Sequence, residues 1–142
     1  MSIAIYPSFF FTVVLLVTTA YFLLGGLPLL VLKHDEALDA RFVRGFFSLY
    51  YKAAFWAALG AAVSYALWGR LVLALGAAAL AATALVLRRK ILPVMQQVGS
   101  DIEVNAEGAV RRFRKIHGLA LLVNFAQLVL VVSGIIQLSR AA

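Results

Sequence analysis

From residue 9 to residue 32 the chain carries no charged side chain, and three further apolar runs follow at 46–67, 71–87 and 116–138. Only Lys52 interrupts the second run. A bilayer crossing takes about 20 mostly apolar residues, so each run has a length near that of a membrane span. Lipid offers no partner to a bare peptide group, and a helix satisfies its own backbone, so all four runs are expected to be α-helical. The fold class read from this pattern is all-α: an integral membrane four-helix bundle, with residues 1–142 forming a single transmembrane domain. Composition agrees. The 142 residues are 64% hydrophobic and 13% charged, against about half and a quarter in soluble domains. The first run is longer than the apolar core of a signal peptide and has neither a basic leader nor an Ala-x-Ala cleavage site, so it reads as a retained span.

The cations orient the spans. Lys33, Arg41, Arg44 and Lys52 lie near the connection between spans one and two. Arg88, Arg89, Lys90, Arg111, Arg112, Arg114 and Lys115 lie between spans three and four. Arg70 and Arg140 fall on the other side, so the positive-inside rule puts the crowded side in the cytoplasm and both termini outside. A bacterial inner membrane is the expected location. The high pI of about 10.3 is then a signature of topology rather than of nucleic-acid binding. The expected partners are the bilayer itself, anionic headgroups at the cytoplasmic face, and a membrane protein or further copies of this chain.

Trp68-Gly69-Arg70 reads as a tight turn joining spans two and three into an antiparallel hairpin. Both spans are rich in Ala and Gly, and small side chains let membrane helices approach closely. Residues 88–115 form a longer cytoplasmic connection in which Leu92, Met95, Val98 and Ile102 recur at helical spacing. This predicts either an amphipathic stretch at the headgroup level or helical extensions of both spans, with a break at Gly99 and Ser100. Glu107 and Arg111 stand four apart, in the favourable order for a helical ion pair. Gly25, Gly26 and Pro28 predict a kink late in span one.

Polar groups within a span are costly and each needs a reason. At about 100° per residue, His117 and Asn124 lie within roughly 20° of each other, with Gln127 about 60° further round. This face should point into the bundle. There it serves either as interhelical glue or as the wall of a pocket for a quinone, haem or lipid headgroup, together with Tyr51 and Lys52. Lys52 also reads as a lysine whose ammonium snorkels to the interface. His34 and His117 share one membrane side, which keeps bis-histidine haem in view, although no cofactor is predicted outright. His34, Asp35 and Glu36 do not form a metal site, because adjacent helix positions do not converge on one ion.

The absence of cysteine excludes thiolate metal sites and cysteine nucleophiles. The spans hold no acidic residue, which argues against a proton-coupled pump, and no catalytic signature occurs. The sequence therefore leaves three functions open: an accessory subunit or homo-oligomer acting through helix packing, a ligand-binding membrane protein or enzyme, and a small-solute transporter working as an oligomer.

The segments RGFFSLYYKAAFW, LRRKILPVMQQ and FRKIHGLALLVNFAQLVL resemble the four-helix membrane family related to transmembrane protein 205. Phe113, Ile116, His117 and Asn124 carry the resemblance at the start of the last span, and Pro93 carries it beyond span three. It implies the four-helix fold and the prominence of His117 and Asn124, and it implies no catalytic activity.

Overall fold

The computed structural model describes residues 3–29, 37–104 and 107–141. They form four helices: α1 (Ile5–Leu29), α2 (Ala37–Leu67), α3 (Leu71–Glu103) and α4 (Ala109–Ala141). Each is long and apolar enough to cross a bilayer, and the chain is an all-α multi-pass membrane bundle. α2 packs along α1 and, most extensively, along α3, while α4 closes the ring against α1 and α3. α2 and α4 therefore face each other across the diagonal, and the side chains they project inward must fill the centre.

The α2–α3 turn forms as the sequence predicts. Gly69 takes φ +82°, the left-handed conformation open to a residue without a Cβ. The Arg70 amide donates to the Tyr65 carbonyl at 2.9 Å and the Gly69 amide to the Ala66 carbonyl at 3.1 Å. These two bonds make a Schellman cap, which satisfies carbonyls that the end of α2 would otherwise leave open.

The other boundaries differ from the sequence reading. α1 begins at Ile5 and includes Pro28 in its last turn, and residues 30–32 of the expected span lie outside the described residues. α3 runs past Leu87 as the helical extension that the sequence offers as one alternative, but it does not break at Gly99 and Ser100; it continues to Glu103. Its buried Met95, Val98 and Ile102 cross the expected break in one inward stripe. The Ser100 hydroxyl donates to the Gln96 carbonyl at 3.1 Å within the same helix. Burying that stripe outweighs the roughly 1 kcal/mol that a helical glycine costs. The chain turns instead after Glu103, and Gly108 takes φ +74° just before α4.

Glu107 thus precedes α4, and the helical pair with Arg111 does not form. Arg112 instead pairs with Asp101 at 3.0 Å, tying α4 to α3, and Arg41 pairs with Glu103 at 3.0 Å, tying α2 to α3. With 33 residues each, α3 and α4 are about 50 Å long, well beyond the ~30 Å hydrocarbon core. Their surplus, with the start of α2, forms a helical extension that carries these ion pairs. We call it the charged end.

Two packing modes stack along the bundle. Toward the charged end, Val43, Phe47, Tyr50, Tyr51, Met95, Phe113 and His117 are essentially inaccessible to solvent. Toward the Gly69 turn, the core consists of Ala61, Ala62, Ala74 and Ala77, with Tyr65 and Leu138. α1 contacts its neighbours tightly at two glycines. A Cβ on Gly60 would lie 2.5 Å from the Phe11 ring, and one on Gly26 would lie 2.5 Å from a Leu121 methyl.

Candidate functional site

The α4 face read from the sequence does turn inward. His117 is fully buried, Asn124 is 1% exposed and Gln127 is 6% exposed. Their spacing along α4 keeps them on one side of the helix, and the diagonal position of α2 brings its aromatic rings to meet them. The edge-to-face pair of Phe47 and His117 has ring centroids 5.5 Å apart. The Tyr50 hydroxyl donates to the Gln127 side-chain carbonyl at 2.6 Å, linking the two diagonal helices. From α1, Phe22 leans on Tyr50 with ring centroids 5.4 Å apart.

Tyr51 belongs to the same layer, 5.3 Å from the Tyr50 ring and 6.0 Å from Phe47. Its hydroxyl makes no hydrogen bond among the described residues, and neither polar atom of the Asn124 carboxamide makes one. Each unmade bond in an apolar interior costs about 1–3 kcal/mol, so these are the most expensive groups in the core.

Lys52 does not join them. It is exposed on the outer face of α2, about 100° round the helix from Tyr51. Four of the five residues read as a pocket wall thus share the interior, and the fifth points away from it. His34, with Asp35 and Glu36, lies outside the described residues.

Beside Gln127, the deepest of the three along α4, the enclosed space is small. The cavity bounded by Thr19, Tyr50, Ala54, Leu80, Gln127 and Val131 measures about 10 Å³, room for no more than one water molecule. A quinone ring or a porphyrin does not fit there without the helices separating. Among the described residues no three His, Asp or Glu side chains gather as metal ligands.

No protein-family model, curated protein or solved structure matches the chain.

Two features escaped the sequence reading. The first is a polar seam on α1, where Ser8, Thr12 and Thr19 are all buried. Ser8 and Thr12 donate to the carbonyls of Ala4 and Ser8, each at 2.7 Å, and Thr19 to that of Leu15 at 2.7 Å. Self-bonding of this kind lets a hydroxyl sit inside a bundle at low cost. Thr12 also shares a 2.5 Å hydrogen bond with the Tyr65 hydroxyl, fastening α1 to α2. The helical spacing of Ser8, Thr12 and Thr19 was the available signal.

The second is a groove of about 390 Å³ between α3 and α4, on the half nearer the Gly69 turn. Its rims carry Gly76, Ala79 and Thr83 on α3, and Ser133, Gly134 and Gln137 on α4. A Cβ added at Gly76 or Gly134 would meet nothing within 4 Å. These two glycines therefore keep a surface open rather than permit contact inside the monomer.

Proposed function

We propose that this protein acts by helix packing in a bacterial inner membrane, as a homo-oligomer or as an accessory subunit of a larger membrane assembly. The observation that carries this reading is the placement of polar and small residues. The polar face of α4 is used inside the bundle, against Tyr50 and Phe47, and the cavity beside Gln127 measures only about 10 Å³. The small-residue groove between α3 and α4 is left open to the surroundings. In lipid, where helix association depends on van der Waals fit and interhelical hydrogen bonds, a surface with glycines, Thr83, Ser133 and Gln137 suits another helix. Within this proposal the charged end faces the cytoplasm and both termini face outward, supported by the concentration of cations at that end. Membership of the family related to transmembrane protein 205 is part of the same proposal, and it rests on the sequence segments alone.

The test is the molar mass of the purified protein in lipid nanodiscs, beside a Gly76→Leu/Gly134→Leu variant. A Cβ at either position meets nothing within 4 Å, so the leucine side chains start out into the groove rather than into the packed interior. The expected result is a multimer, or a stable complex with another membrane protein, that the double variant dissociates while its melting temperature holds. A wild-type monomer without a protein partner overturns the proposal, and so does an assembly indifferent to the filled groove.

The alternative of an interior ligand draws on the open hydrogen-bonding groups of Asn124 and Tyr51. It requires a co-purifying chromophore or quinone, seen by absorption spectroscopy and solvent extraction, that is lost in Asn124→Leu.

A further inference from the structure

We infer that Arg44, Arg88 and Arg89 form a site for the phosphate group of an anionic membrane lipid. They converge from two helices on one groove of about 530 Å³, whose lining also includes Ser48 and Gln96. The hairpin brings them together: in an antiparallel pair turning at Gly69, Arg44 lies nearly level with residues 88–96 of α3. Gly45 keeps the groove open, since a Cβ there would meet nothing within 4 Å.

Charge separates this groove from its neighbour. In the adjoining crevice, which shares Arg44 and Gln96 with this groove, the acidic residue is Glu103, and it is already bound to Arg41 at 3.0 Å. The arginine groove has no acidic residue in its lining, and among the described residues none of its three guanidinium groups pairs with a carboxylate. Three forked donors with hydroxyl and amide groups beside them match the oxygens of a phosphate, which guanidinium groups bind in bidentate fashion.

Depth favours a lipid over a free anion. Arg44 stands just before the apolar run of α2, and Arg88 stands just after Leu87, where the apolar run of α3 ends. The groove therefore sits in the headgroup layer. One turn deeper, four residues on from Gly45 and three before Arg89, lie Leu49 and Val86, exposed at 60% and 49%, where acyl chains run. Lys52 occupies the next turn of that α2 face. Its Cα–Cβ bond tilts toward the helix N-terminus and so toward the groove, which gives the exposed ammonium an anionic neighbour.

The experiment is native mass spectrometry of the intact protein titrated with phosphatidylglycerol or phosphatidylcholine, with inorganic phosphate as competitor. Three variants accompany the wild type. Arg44→Gln/Arg88→Gln/Arg89→Gln empties the groove of charge. Lys90→Gln/Arg111→Gln/Lys115→Gln removes equal charge from the same end outside it. Arg44→Lys/Arg88→Lys/Arg89→Lys keeps charge and topology but loses the forks. We expect phosphatidylglycerol to be retained over phosphatidylcholine. The groove variant should weaken that retention at least about tenfold more than the outside variant, and the lysine variant at least about threefold relative to wild type. Equal losses in the two glutamine triples, or no loss in the lysine triple, reduce the effect to diffuse surface charge and overturn the site. Displacement of the lipid by about 10 mM inorganic phosphate overturns the lipid assignment in favour of a small-anion site.

Discussion

The two halves of the bundle solve the same packing problem with opposite residues. Near the charged end, the space across the α2–α4 diagonal is filled by Phe47, Tyr50, Tyr51, Phe113 and His117. Near the Gly69 turn, Ala61, Ala62, Ala74 and Ala77 let α2 and α3 pack closely, while the space toward α4 stays open as the groove. The first half depends on volume, which only large rings supply. The second depends on closeness, which only small residues permit. Each half should therefore tolerate the substitution that damages the other.

The largest expected effect is in the ring-filled half. Phe47→Ala removes a ring with 0% exposure that touches both His117 and Tyr51. The dispersion and cavity share of the loss persists in lipid, so thermal unfolding in detergent should register a destabilisation of about 3 kcal/mol. A change under about 1 kcal/mol would mean that the centre can collapse and that volume is not what holds it.

Next comes the close-packed half. Gly60→Ala places a methyl 2.5 Å from the Phe11 ring, and overpacking of this kind costs about 1–3 kcal/mol. The same melting assay checks it. Gly76→Ala, at a position facing open space, serves as the silent control. Equal shifts in the two would remove the distinction between a contact glycine and a surface glycine.

Asn124→Leu sharpens the comparison within the ring-filled half. The substitution keeps the branched outline of four side-chain heavy atoms, at somewhat larger volume, and deletes a buried amide without partners among the described residues, so stability should stay within about 1 kcal/mol of wild type or rise. A loss of 2 kcal/mol or more would show that the amide holds a bond in solution, and would move the balance toward an interior ligand.

The smallest effect belongs to the charged end. Glu103→Gln breaks an exposed pair with Arg41 and should cost no more than about 1 kcal/mol, vanishing at high salt. A larger or salt-independent loss would make this end a folding element in its own right.

Much of this architecture is legible along the chain. Four helices follow from the lengths of the apolar runs, and the turn at Gly69 from a lone glycine between them. The inward face of His117, Asn124 and Gln127 follows from helical spacing, because that arithmetic needs no knowledge of the neighbours. The outward position of Lys52 is available from the same arithmetic: a residue next to a central Tyr51 points about 100° away. The continuation of α3 through Gly99 and Ser100 is not available locally, since the buried stripe that sustains it depends on what covers it. The Tyr50–Gln127 and Thr12–Tyr65 bonds and the arginine groove require interhelical register. Only the groove could be estimated beforehand, by counting outward from Gly69.

In the orientation proposed above, with both termini outside, the short cap at Gly69 also bears on how the protein enters its membrane. With three residues between α2 and α3, and both cap bonds closing on the last turn of α2, the two spans have no slack to be threaded separately. They are expected to cross as one preformed hairpin whose tip carries a single cation, Arg70, through the lipid. Its guanidinium lies over the Trp68 ring, 4.9 Å from the centroid, so the charge travels against an indole rather than bare. Under that orientation, the turn that shapes the finished bundle is also the leading edge of its translocation.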